Sequence, residues 1–370
     1  MKFTCEKNAL VSAISVASRT VAQKSTIPAL EGIYIRAGVK LTLSGYNLET
    51  GITISVDAEI QQTGACIMPS RLFFDIIRKL PGDTVSISVD EKFKVSIRGG
   101  ISSFSITAMS SEDYPELPEV ESDKGISLPQ NELKAMIGGT SFAVSENQAR
   151  PIHTGCLFEV EDSSITVVAV DGYRLALRRW KSEEPIGRTL KFVVPAAALK
   201  EAEKILGDTD EACTFFLGSK HILFTIGEAT LVCRLLEGEF LDWRRVLPQN
   251  QPVKLAVNVA KMTDSIERVG LIISEKLKSP VRCKFGENTA DFRSVSTIGE
   301  AHDVCQIAGD GQDMEIGFNC RYLLDALRAI PDAECSLELI NGLSPIVMIP
   351  CDGSERYSYM VLPVRLKAGE

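Results

Sequence analysis

Residues 65–82 read ACIMPSRLFFDIIRKLPG, and this stretch decides the fold. Ala65–Met68 is a short apolar run of strand character, and Pro69 ends it because proline has no amide hydrogen to give to a sheet. From Ser70 to Leu80 the apolar residues fall at helical spacing, and Pro81-Gly82 stops the helix. Two alternating stretches follow, Val85–Val89 and Phe93–Ile97, with the period of two that marks strands.

The same grammar returns twice. Lys191–Val194, Pro195 and Ala196–Leu206 precede the strand patterns Cys213–Leu217 and Ile222–Ile226. Glu315–Phe318, Asn319 and Arg321–Ile330 precede Cys335–Ile340 and Ile346–Ile349. Pro69, Pro195 and Asn319 are spaced by 126 and 124 residues. A second landmark keeps the register: Lys2–Cys5 leads into a helical pattern over Lys7–Arg19, Gly125–Leu128 into Asn131–Gly138, and Lys254–Val257 into Val259–Ile273. Strand–helix–strand arises by chance in any α+β chain, but three copies in register at two landmarks make a repeat. Tyr114–Lys124, rich in proline and acid, reads as a solvated linker, and Leu247–Val253 as a second spacer. The expectation is an α+β chain of three repeated domains at 1–120, 125–247 and 252–370. Each has two helices on antiparallel sheets of roughly eight strands.

Composition limits what such a chain does. With 370 residues, 45% of them hydrophobic, it has material for real cores. No uncharged apolar run reaches membrane-spanning length, and MKFTCEKNAL lacks the apolar core of a secretory signal, so a cytoplasmic location is expected. The ten cysteines form no CxxC pair and read as reduced core thiols. His153 with Cys156 and His302 with Cys305 could supply four metal ligands, but nothing else supports a centre, and no metal or cofactor is expected. No phosphate-binding glycine loop, nucleophile elbow or HExxH motif occurs. The net charge is −9, yet the candidate helices sum to +5 and the remainder to −14. A basic helical surface on an acidic body suits the phosphate backbone of DNA, which demands charge but no base-specific geometry.

Five segments then carry a resemblance: SRLFFDIIRKLPG (70–82), DGYRL (171–175), LDWRRVLP (241–248), FNCRYLLDAL (318–327) and LPVRL (362–366). In this order, on a threefold repeat, the chain resembles the bacterial DNA polymerase III β subunit, the sliding clamp, over its whole length. The resemblance implies a three-domain subunit forming half of a six-domain ring, closed as a head-to-tail homodimer. Such a ring encloses double-stranded DNA without sequence preference and confers processivity on the replicative polymerase without catalysis. It also implies a hydrophobic groove for linear motifs of the polymerase α subunit, the clamp loader, other polymerases and repair proteins.

Carried over position by position, the groove comprises His153, Val170, Gly172, Tyr173, Arg174, Leu175, Leu241, Arg245, Val246, Met360, Leu362, Pro363, Val364 and Arg365. Apolar walls would take Leu or Phe anchors, and arginine heads would orient backbone or acidic groups. The positions near DNA are Lys24, Arg71, Asn147, Pro151, Ile152, Lys276, Lys278, Asn319 and Tyr322. Phe104 and Ile106 on one edge would meet Ile272 and Ile273 of the neighbouring subunit. The sequence departs from the family at Pro151-Ile152, at Ala197 and at His153. Its tail, Lys367–Glu370, extends past the usual end, where it could cover the groove mouth. Taken without the resemblance, DGYRL reads as a strand-edge turn and LPVRL as an ordinary final strand. The competing reading is a cytosolic α+β enzyme with repeated scaffold domains in which Asp171 and Asp242 catalyse. It predicts titratable groups converging in a pocket.

Overall fold

A computed structural model describes residues 1–120, 124–273 and 279–366. Among them are six helices: α1 (Lys7–Ala17), α2 (Ser70–Lys79), α3 (Gln130–Gly138), α4 (Ala196–Ile205), α5 (Val259–Gly270) and α6 (Cys320–Arg328). All lie where the repeat predicts them, and their starts are chemically set. The Glu6 carboxylate accepts from the amides of Asn8 and Ala9 at the head of α1. Asn258 and Asn319 likewise accept from Lys261 and Tyr322 at the heads of α5 and α6. At its other end α1 stops short of the expected Arg19 and tightens into a 3-10 turn, Ser18–Thr20.

The chain divides into two compact units, each built from one outer repeat and part of the middle one. The first holds Met1–Lys134 with Ala197–Leu235, the second Ala135–Ala196 with Leu236–Glu370. In the first unit, a five-stranded antiparallel sheet runs in the order Ala58–Gln62, Lys2–Glu6, Thr84–Val89, Lys94–Gly99, Ser102–Thr107. An eight-stranded sheet begins with Ile126–Pro129, Ala212–Leu217, His221–Ile226 and Ala229–Arg234. It continues through Thr50–Val56, Leu41–Tyr46, Gly32–Ala37 and Gly64–Pro69. The repeats meet inside this sheet, where Cys233 pairs with Thr50 and Ala229 with Ile54. Leu10 and Ile14 of α1 and Phe73 and Ile77 of α2 are fully buried with Phe3, Leu43 and Ile97 of the strands. That apolar burial holds the helix pair on its sheets.

The second unit carries a single ten-stranded sheet. Its order is Leu190–Pro195, Gly155–Glu161, Ser164–Val170, Arg174–Lys181, Tyr357–Val361, Ile346–Pro350, Glu334–Leu339, Val253–Asn258, Gly299–Phe318, Val281–Ser296. Here the repeats meet where Arg174 pairs with Val361 and Leu175 with Met360. Met262 and Ile266 of α5 and Leu323 and Leu327 of α6 are buried.

Three details differ from expectation. The three repeats hold nine, eight and six strands among the described residues rather than roughly eight each. The third has fewer because Val281–Ser296 and Gly299–Phe318 form one long hairpin, irregular between Phe285 and Thr289, that does the work of several short strands. Val253, assigned to the second spacer, opens a strand by pairing with Leu339. The Tyr114–Lys124 segment has exposed acids, as expected of a solvated linker, but Tyr114 itself is buried. Its ring stacks 5.0 Å from that of Tyr34, and its hydroxyl donates to the Ser44 carbonyl. A tyrosine gains more from burial than the flanking acids lose from its ordering.

Both junctions between repeats use the same corner. Asn47 Oδ1 accepts from the amides of Glu49 and Thr50, and Leu48 takes φ +74°. Asp171 Oδ1 accepts from the amides of Tyr173 and Arg174, and Gly172 takes φ +93°. Each corner has a short 3-10 turn in the same unit, Pro28–Glu31 and Pro151–Thr154, and an isolated bridge, Ile67 with Met109 and Val193 with Leu236. Of the ten cysteines only Cys351 is exposed, and burial pushes thiols such as Cys66 and Cys213 up to about 12. They behave as small apolar core residues.

Candidate peptide-binding groove

The residues of the candidate groove lie within the second unit, near the seam between Arg174–Lys181 and Tyr357–Val361. Its floor is a continuous apolar cluster of Leu157, Val170, Leu175, Phe240, Trp243 and Met360, with Val246 and Leu247 packed at its margin. Strand alternation explains why Leu175 and Met360, directly paired, both point inward. Three large apolar residues stand out from this floor into solvent: Tyr173, 62% exposed, with Leu241 and Val364.

Two chain segments are tied together at the rim. The Tyr173 carbonyl accepts from the Leu362 amide at 2.8 Å, and the Gly317 carbonyl accepts from the Val364 amide at 2.8 Å. This fixes Leu362-Pro363-Val364 across the end of the DGYRL corner and leaves Arg365 exposed. Gly317 is required there: a Cβ would come within 2.5 Å of Leu366 Cδ2 and 2.9 Å of the Val364 carbonyl. Gly172 is required for a different reason, since its left-handed backbone is costly for any other residue.

Arg174 bridges the seam. Its guanidinium is buried and engaged on every side: Nε donates to Asp171 at 2.8 Å, Nη1 to Asp325 of α6 at 2.7 Å, and Nη2 to the Phe142 carbonyl at 2.6 Å. It also lies 4.3 Å above the centre of the Tyr322 ring. Three of the five guanidinium N–H donors are used here, and through them the head ties the middle repeat to the last one. Arg245 is almost fully exposed and pairs with Asp242 at 3.0 Å, and Arg365 is exposed as well.

The imidazole of His153 sits edge-on to Phe240, with ring centres 5.0 Å apart, and its buried Nδ1 has no hydrogen-bond partner among the described residues. Burial, and secondarily the Arg150 charge, lower its pKa below the ordinary value. The unfolded chain therefore takes up this proton first as pH falls through about 6.5, so the His153 contribution to stability is lost on acidification. The expected result is an imidazole NMR titration of His153 with its midpoint below 6.5, and a His153→Leu variant whose melting temperature falls less between pH 7 and pH 5.

The residues expected at DNA are placed as follows. Lys24 is exposed in the loop after α1, and Arg71 is exposed in the first turn of α2. Asn147 is exposed, but its side chain accepts from the Ala149 amide, and Asn319 is occupied as the cap of α6. Pro151 is exposed, whereas Ile152 turns into the apolar floor. Tyr322 faces the groove side, its ring between Arg174 and Tyr173, 6.1 Å from the latter. Lys276, Lys278 and the tail Lys367–Glu370 lie outside the described residues. Phe104 is 41% exposed on Ser102–Thr107, the outermost strand of its sheet, while Ile106 packs partly against the core. Ile272 and Ile273 are half-buried just after α5, beside Leu271, which is 81% exposed.

Sequence reasoning missed Trp243 and Phe240, which fill the floor, and Glu159 and Asp325, which hold its parts. The signal for Glu159 was present: it is an acid two residues after the inward Leu157 on one strand, and so on the same face. Asp171 and Asp242, the acids of the competing enzyme reading, are spent on Arg174 and Arg245.

Comparison with known proteins agrees with this architecture. Family models for the N-terminal, central and C-terminal domains of the DNA polymerase III beta subunit match residues 1–118, 127–242 and 244–365. The beta sliding clamps of Staphylococcus epidermidis and Staphylococcus aureus are each 32% identical to the chain, with 99% of both sequences covered. Among solved structures, the Bacillus subtilis sliding clamp superimposes with a TM-score of 0.94 at 30% identity, covering 99% of this chain and 100% of that one. A putative beta subunit from Eubacterium rectale gives 0.93 at 32% identity, covering 98% and 99%. Three clamp-type α+β domains in series define a processivity factor rather than a catalyst. The chain belongs to the DNA polymerase III beta subunit family and functions as a DNA sliding clamp; the enzyme reading is not favoured.

Proposed function

We propose that two copies of the chain, each with domains at 1–120, 125–247 and 252–370, close head to tail into a cytoplasmic ring around duplex DNA. Phe104 and Ile106 of one copy meet Ile272 and Ile273 of the next at each of the two joints. Lys24, Arg71, Asn147 and Pro151 approach the phosphates, together with Lys276, Lys278 and the head of α6. DNA contacts of this kind need only be weak, because a closed ring holds its cargo by topology, and an overall negative charge is compatible with sliding.

The groove takes short linear motifs of the replicative polymerase α subunit, the clamp loader, other polymerases and repair proteins. The observation that carries this reading is the apolar cluster around Trp243 together with the exposed side chains of Tyr173, Leu241 and Val364, each one or a few residues along the chain from it. Apolar anchors of an extended peptide would fill it, with Arg245 at the rim for an acidic or carbonyl group. The test is a fluorescence-anisotropy titration with a labelled Gln-Leu-Ala-Leu-Phe peptide beside a Tyr173→Ala, Val364→Asp variant. Both positions are exposed, so the variant folds. Saturable binding weakened at least about tenfold in the variant supports the groove, since exposed anchors at such sites are worth 1–2 kcal/mol or more. Equal binding by both proteins moves the site elsewhere.

A further inference from the structure

Glu159 is an anomaly in its strand. Gly155–Glu161 is buried from Gly155 to Val160, and Glu159 is the one charged residue in that buried run, 6% exposed. A buried carboxylate is expensive unless its oxygens are satisfied. Here three donors converge on it. Trp243 Nε1 donates to Oε2 at 3.1 Å, Arg244 Nη1 donates to the same oxygen at 2.8 Å, and Lys191 Nζ lies 3.2 Å from Oε1. Lys191 is its direct cross-strand neighbour, and the Arg244 guanidinium also covers the Trp243 ring at 4.3 Å.

Both cations are about half exposed, and pairs of that kind add little to stability. Buried ion pairs in general are poor stabilisers compared with apolar packing of the same volume. What Glu159 does that an apolar residue could not is fix one orientation of the Trp243 indole. Trp243 begins the short 3-10 turn Trp243–Arg245 and lies in the groove floor beside Val170, Leu175 and Met360. Leu241, two residues before it, and Arg245, two after, are the exposed apolar and cationic rim groups on this side.

We propose that Glu159 is a positioning residue of the peptide groove. Through the Trp243 indole nitrogen and Arg244, it locks residues 241–247 in the conformation that presents Leu241 and Arg245 to a bound peptide. The carboxylate touches no peptide itself. This inference rests on the groove reading above and deepens it. It also carries a consequence for specificity: the geometry of one rim is set from beneath, by a strand of the middle repeat.

The test uses the full chain and four variants, Glu159→Ala, Glu159→Gln, Trp243→Phe and the double variant Glu159→Ala, Trp243→Phe. Each is measured for Gln-Leu-Ala-Leu-Phe affinity by anisotropy and for amide hydrogen exchange over residues 241–247. Glu159→Gln keeps an acceptor for the indole and is expected to bind within about threefold of the unmodified protein, whereas Glu159→Ala weakens binding about tenfold. Trp243→Phe keeps an aromatic ring in the floor but has no donor, and the double variant is expected to be no weaker than the worse single one. Exchange over 241–247 accelerates in Glu159→Ala and is restored in Glu159→Gln. Additive losses, or unchanged affinity and exchange in Glu159→Ala, overturn the proposal. If the unmodified protein binds no peptide, the groove reading fails. The exchange data then decide separately whether Glu159 holds the segment.

Discussion

Arg174→Ala is expected to lower the stability of the second unit by about 3–5 kcal/mol, the largest effect of any single substitution in the groove region. The change strips the partner from Asp171 and Asp325 at once and leaves the Phe142 carbonyl without its donor. It also removes the cation lying over Tyr322. Asp171 keeps its two amide donors and Asp325 keeps Arg321 at 3.9 Å, but two sheltered carboxylates that lose their nearest cation cost more than the loss of an exposed ion pair. Arg174→Lys recovers only part of the loss, because an ammonium cannot reach three acceptors in a fixed fork. The readout is urea unfolding followed by tryptophan fluorescence. The chain has two tryptophans, Trp180 and Trp243, both in the second unit, so the signal reports on the unit concerned. A midpoint within experimental error of the unmodified protein would remove Arg174 from the structural role assigned to it. Peptide affinity is expected to fall with stability, as a consequence of a loosened seam between Arg174–Lys181 and Tyr357–Val361.

Ile272→Ala combined with Ile273→Ala is expected to convert the dimer to monomers. Both side chains are half-buried among the described residues, just after the end of α5 and next to Leu271, which is 81% exposed. Phe104 presents a comparable exposed ring on an outermost strand. If these surfaces meet between copies, each isoleucine truncated in a packed contact costs about 2 kcal/mol. Two per joint weaken each joint by about a thousandfold, and separating the dimer breaks both. The ring has two such joints, so the loss is felt twice. Light scattering at micromolar concentration checks this directly. A variant that still runs as a dimer, with an unchanged melting curve, places the subunit contact elsewhere.

Much of the fold was legible because its signals are local. The six helices follow from 3.6-residue spacing, from capping asparagines and from prolines at the strand–helix joints, all of which act within a few residues. The two seams were not legible. Nothing in the local pattern says that Cys233 pairs with Thr50 or Arg174 with Val361, since such pairings join residues far apart in sequence and depend on which edges the rest of the fold leaves open. The candidate groove was legible only through motif resemblance, and the pairings inside it were not legible for the same reason. Arg174 reads as a free cation until Asp325, 151 residues away, is brought beside it. Nothing local says that Tyr322 lies under Arg174 or that Ile152 packs against the Leu157 cluster. Tyr114 reads as part of an acidic linker until Tyr34 is found under its ring.

The repeated corner gives this chain an internal control. Asn47–Thr50 and Asp171–Arg174 share the side-chain-to-amide turn, the left-handed second residue, the preceding 3-10 turn and the isolated bridge. Those shared features are what bending the chain at a repeat junction demands, whatever the junction is for. What differs between the copies is then free of that demand: Leu48 against Gly172, Glu49 against Tyr173, Thr50 against Arg174. The first corner tolerates a strained leucine and has a buried tyrosine, Tyr114, in the cluster beside it; the second spends a glycine on relaxed geometry and leaves Tyr173 standing in solvent. One scaffold solution therefore exists here in two editions, and subtracting one from the other separates the residues that build a joint from those left free for another task.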